Sequence, residues 1–142
     1  MEFQKVIEYK LQMLIELMLT DGVSPAELSN NIFEKDYINI SFSKKNEYVV
    51  GKLNFYDNGN ILKEVQMIYT YSKDKVLLRV EETLNGQYSL LWDRKSREEE
   101  LLEELVYFMK CCYNGKQIEK FISSLPVELR SKVAEYVALL IA

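Results

Sequence analysis

The reactive side chains of this sequence are defined first by one that is missing. There is no histidine. That excludes Ser-His-Asp and Cys-His nucleophilic catalysis, imidazole metal ligation and imidazole-based pH switching together. Catalysis would have to rest on Asp, Glu, Lys, Tyr or Cys. The two cysteines, Cys111 and Cys112, are adjacent and fall in a helical pattern. They cannot close an ordinary disulfide with each other, and a thiol near a helix C-terminus is held neutral, not activated. Packing is the simpler reading, and a reducing, cytoplasmic setting is expected.

The acidic run Glu98-Glu99-Glu100 with Glu103 and Glu104 invites a metal or a basic partner. It lacks EF-hand spacing and a loop of converging oxygens, and a solvated helix face with carboxylates near its N-terminus explains it. Two basic clusters, Lys44-Lys45 and Arg94-Lys95 with Arg97, sit at turns without the interleaved aromatics of a single-strand nucleic-acid groove. The formal net charge is −4. No nucleic-acid partner, no metal and no cofactor is expected, and the balance is against an enzyme.

These residues must be positioned by some fold, and length and patterning define it. A chain of 142 residues with 48% apolar and 28% charged side chains suits one globular α+β domain spanning residues 1–142. Met1-Glu2-Phe3-Gln4-Lys5 is no signal-peptide start, and Glu8, Lys10 and Glu16 interrupt any apolar core that follows. No apolar run reaches the ~20 residues of a membrane span.

Residues 3–20 read as a helix that is apolar nearly all round from Leu11 to Leu19, which predicts burial on more than one side. Asp21-Gly22 supplies a stop, with Gly22 in the left-handed conformation. Ser24-Pro25-Ala26-Glu27 is a capping box opening a short second helix. This pair also admits a helix-turn-helix reading, but the second helix offers Ser29, Asn30 and Asn31 and no basic side chain to a DNA groove.

From Asp36 to Asp93 the pattern becomes five alternating strands, an antiparallel meander with one face on a core. Register decides the turns, because directly paired residues share a face. Coherent faces result if Asp57-Asn58-Gly59 and Leu84-Asn85-Gly86 are three-residue bulged turns. They pair Phe55 with Ile61, Val49 with Met67, Val80 with Leu90 and Leu78 with Trp92. Four-residue connections at Lys44–Glu47 and Ser72–Lys75 complete the meander. The expected core face carries Ile40, Leu53, Phe55, Val65, Met67, Leu78, Val80, Leu90 and Trp92. Three C-terminal helices follow, expected to pack on that face. The first opens on a capping box at Ser96-Arg97-Glu98-Glu99 and is stopped by Asn114-Gly115.

The second sheet face carries the functional expectation. By these registers it holds Tyr37, Tyr48, Lys52, Tyr56, Ile68, Leu77 and Arg79. That mixture is too apolar for plain solvent and too polar for a core. Aromatics and arginine beside aliphatics are the composition of a protein interface. The expected function is a non-enzymatic protein-binding module, such as an immunity-type inhibitor or a chaperone, with a protein partner of unknown identity. An uncovered face would also favour a homodimer. Two alternatives are a small-molecule-binding protein or enzyme with a pocket between sheet and helices, and a helix-turn-helix regulator.

Overall fold

The computed structural model describes residues 2–141. The element order is α1 (Glu2–Leu19), α2 (Pro25–Ser29), a 3-10 turn (Asn30–Phe33), β1 (Tyr37–Lys45), β2 (Tyr48–Asp57), β3 (Asn60–Tyr71), β4 (Leu77–Leu84), β5 (Gln87–Asp93), α3 (Arg94–Cys112), α4 (Gly115–Ser123) and α5 (Val127–Ile141). The α+β class and the meander are as the sequence predicts. The chain divides into two compact units, residues 1–19 with 96–142, and residues 20–95.

The first unit is helical. Ile7 and Leu14 of α1 are buried with Leu101, Leu102, Leu105 and Met109 of α3, Ile118 of α4, and Leu129 and Val133 of α5. On α1 they stand at i and i+7, and on α3 they recur at spacings of three, four and seven, which lines up one helical face. Three glutamates of the acidic run are ion-paired: Glu98 meets Lys132, Glu104 meets Lys10, and Glu100 meets Arg97. Among the described residues no group of three or more acidic or thiol side chains is arranged to hold a metal. Cys111 is exposed and Cys112 packs beside the core, both as free thiols.

Two helix starts differ from expectation. Helix α3 begins at Arg94, directly after β5, so Ser96 lies in its first turn and is not its cap. The Asn114-Gly115 stop is also a start. Asn114 caps α4, accepting from the Gln117 amide while Gln117 accepts from the Asn114 amide, both at 2.9 Å.

In the second unit the strands pair in chain order, β1-β2-β3-β4-β5, all antiparallel. The predicted capping box forms: Ser24 Oγ accepts from the Glu27 amide and Glu27 Oε1 from the Ser24 amide. It starts α2, which sets Leu28 against Leu53, Tyr71 and Leu77 on what we call the inner face.

The turns are tighter than predicted, and the irregularities lie inside the strands. Asp57 pairs with Asn60 and Leu84 with Gln87, so both Asn-Gly turns are two-residue turns. Positive φ at Asn58, Gly59, Asn85 and Gly86 makes them type I′. The extra residues appear as bulges at Ile38, Leu78 and Leu91. Residues 61–63 also stand unpaired between Asn60 and Glu64. Phe55 therefore pairs with Val65, not Ile61, and Val49 with Tyr71, not Met67. Each bulge places two residues against one and reverses the alternation beyond it.

Candidate interaction face

The face opposite Leu53 and Tyr71, here the outer face, is built from three cross-strand rows. One runs Ser41, Lys52, Ile68, Glu81, Leu90. A second runs Asn39, Asn54, Gln66, Thr83, Tyr88, and a third Ser43, Val50, Thr70, Arg79, Asp93. Tyr56 and Glu64 extend it past the second row, and Tyr48 with Lys45 past the third.

Five of the seven residues singled out from the sequence share this face: Tyr48, Lys52, Tyr56, Ile68 and Arg79. Lys52 and Arg79 are exposed, Tyr48 is 48% exposed, and Tyr56 and Ile68 are half-buried. Tyr37 and Leu77 are corrections, because a bulge puts each on the inner face. Skipping Ile38 pairs Tyr37 with Phe55, and their ring centroids lie 4.8 Å apart in a tilted contact. Skipping Leu78 pairs Leu77 with Tyr71 and leaves it 6% exposed. A Cβ on Gly22 would lie 2.8 Å from the Leu77 Cβ, and Gly22 has φ +85°. The loop after α1 thus reaches this strand by closing on Leu77 through a residue without a side chain.

The outer face gains residues that the sequence reading assigned elsewhere. Leu90, expected on the core, is 50% exposed and stands opposite Glu81, and Tyr88, two residues before it, is 60% exposed and stands opposite Thr83. Asp93 stands opposite Arg79. No signal in a single sequence distinguishes a bulged turn from a bulged strand when both leave Val80 and Trp92 facing inward.

Hydrogen bonds fix the polar groups. Arg79 Nε donates to Asp93 Oδ1 at 3.2 Å, and this bond raises the guanidinium pKa further. The Tyr88 hydroxyl donates to Glu81 Oε2 at 2.6 Å. That bond pushes the Tyr88 pKa up and fixes the hydroxyl in place. Gln66 Nε2 donates to Asn54 Oδ1 at 3.1 Å. Above this pair a shallow concavity of about 540 Å³ is bordered by Ile61, Leu62, Glu64 and Thr83. Ile61 and Leu62 are 73% and 81% exposed, as the unpaired stretch of β3 requires.

At the other end of the unit, Arg94 Nε donates to the Leu77 carbonyl at 2.7 Å and its Nη2 to the Thr20 carbonyl at 2.8 Å. Its guanidinium lies 5.3 Å from the centre of the Trp92 ring. Part of the basic cluster read at this junction is therefore structural.

No protein-family model, curated protein or solved structure matches this chain. Among the described residues no helix is long and apolar enough to cross a membrane.

Proposed function

We propose that this chain is a non-enzymatic protein-binding module acting through the outer face of its sheet, in the manner of an immunity-type inhibitor or a chaperone. The observation that carries this reading is the gathering of Tyr48, Lys52, Tyr56, Ile68 and Arg79 on one face with Tyr88 and Leu90. Aromatic and arginine anchors held before binding lose little freedom on docking, which is how binding hot spots are built. Asp93 and Glu81 supply that fixation to Arg79 and Tyr88. A cytoplasmic location fits two free thiols.

Affinity capture tests the reading. The wild-type chain, Tyr48→Ala and Arg79→Ala are used as baits in extract of the native host, and retained proteins are identified by mass spectrometry. A partner retained by the wild type and lost with either variant is the expected result. A partner retained equally by all three overturns the role of this face.

A second reading, small-molecule binding, draws support from the concavity over the Asn54–Gln66 pair. The regulator reading finds little support in α2, which has five residues and no lysine or arginine.

A further inference from the structure

The central row of the outer face has an arrangement of charge that bears on what can lie against it. In the row Ser41, Lys52, Ile68, Glu81, Leu90, the hydrophobic Ile68 stands on the middle strand. Lys52 is one strand to one side and Glu81 one strand to the other, each about 5 Å from Ile68. Among the described residues Lys52 has no ion-pair partner. Glu81 accepts from the Tyr88 hydroxyl and, among the described residues, forms no ion pair.

We propose that this face pairs with the same face of a second copy of the chain, about a two-fold axis running along β3 above Ile68. The inference rests on reading this face as the protein-binding surface, and it names a second copy as an occupant. An axis parallel to β3 carries Lys52 of one copy over Glu81 of the other, Glu81 over Lys52, and Ile68 onto Ile68. Because the interface is isologous, the one favourable contact occurs twice. An axis in the same plane but across the strands would set Lys52 on Lys52 and Glu81 on Glu81. The charges therefore select one orientation and disfavour the other.

The neighbouring rows agree with this axis. Asn54 comes opposite Thr83, and Asn39 opposite Tyr88, so amides meet hydroxyls. Val50 comes opposite Arg79, whose guanidinium Asp93 already holds, so the arginine stem covers an apolar side chain. Sheets stacked face to face lie about 10 Å apart, a gap that a lysine and a glutamate reaching from opposite sides can fill. Glu64 is the like-charge contact of this arrangement, since on β3 it faces its own copy. It lies roughly 13 Å along the strand from Ile68, at the exposed rim, where twist separates the sheets and solvent screens the charge. Five strands and about seven residues of length bury on the order of 1,000 Å² in total, at the small end for a specific interface. The dimer therefore exchanges with monomer and yields to a tighter partner on the same face.

Sedimentation velocity on the full chain, from about 1 µM to about 500 µM, reads this directly. The wild type should show concentration-dependent dimer. Lys52→Glu and Glu81→Lys should each weaken it by about tenfold or more. An equimolar mixture of the two single variants should recover dimer, because every 52–81 contact in the heterodimer again joins opposite charges. The double variant Lys52→Glu/Glu81→Lys should recover it as well. Recovery on mixing also shows that both single variants are folded. A wild-type chain that stays monomeric overturns the self-pairing alone, since partner capture through Tyr48 and Arg79 is read separately. Single variants that dimerise like the wild type, or a mixture that gains nothing over its components, overturn it too.

Discussion

Leu77 and Arg79 stand two residues apart on β4 and face opposite sides of the sheet. Leu77 closes against Gly22, Leu28 and Tyr71, and what holds it is removal of apolar surface from water. Arg79 is exposed and is held by a carboxylate across the strand. The inner face is fixed by exclusion of solvent, the outer face by hydrogen bonds between groups that remain in solvent. Changes on the first should register as stability, and changes on the second as recognition.

The largest expected effect comes from setting these two residues side by side. Leu77→Ala should cost about 2–4 kcal/mol of folding stability, and Arg79→Ala no more than about 1 kcal/mol. Urea denaturation followed by the fluorescence of Trp92, the only tryptophan, reports on the sheet unit in both variants. Equal losses would show that β4 continues its alternation through Leu78 and that the bulge is not there.

Gly22→Ala should follow, at about 1–3 kcal/mol. The added methyl meets Leu77 and the backbone has a left-handed φ that alanine resists. A substitution outside the sheet should thus lower the same Trp92-monitored midpoint as Leu77→Ala. An unchanged midpoint would separate Gly22 from the inner face.

The smallest effect concerns Tyr71, which is 1% exposed and donates to the Val23 carbonyl at 2.6 Å. Tyr71→Phe should cost about 1 kcal/mol at neutral pH, chiefly by orphaning that carbonyl. Burial, with smaller contributions from Tyr69 and Glu27, pushes the Tyr71 pKa up to about 12. Its neutral form is favoured in the folded chain. The stability this confers is whole below the ordinary phenol value of about 10 and is lost as pH rises towards about 12. Urea midpoints at pH 9 and pH 11 should fall less in Tyr71→Phe than in the wild type. An equal fall in both would place the alkaline sensitivity at Tyr37 and Tyr69, whose pKa values burial also raises.

Much of this was legible beforehand, for stated physical reasons. Alternation located the strands, and the Ser24 box and Gly22 conformation followed from local chemistry. The parity of β2 against β3 survived a register shift of four residues, because an even shift leaves faces unchanged. Tyr37 and Leu77 were misassigned because a bulge inside β1 and another inside β4 leave no mark on the alternation. For Leu90, a bulge inside β5 and a bulge in its turn absorb the same extra residue, and local pattern does not say which. Of the candidate face, Tyr48, Lys52, Tyr56, Ile68 and Arg79 were legible. The partners that fix the face, Asp93 for Arg79 and Tyr88 for Glu81, depend on where those bulges fall.

The division of the chain into residues 20–95 and the two flanking segments also orders events in time. Every strand of the sheet pairs with the next one along the chain, so its pairings are hairpins that close short loops. Helix α1 is made first, yet Ile7 and Leu14 find their partners on α3 to α5 only after the whole sheet segment has been synthesised. Closing so long a loop slows the search, and a sheet already formed shortens it by bringing the two crossing points of the chain together. The Arg94 side chain, bonded to the Thr20 carbonyl, marks where they meet. The buried cluster of the helical unit draws on both flanking segments, with Ile7 and Leu14 from the one and Leu101, Leu105, Leu129 and Val133 from the other.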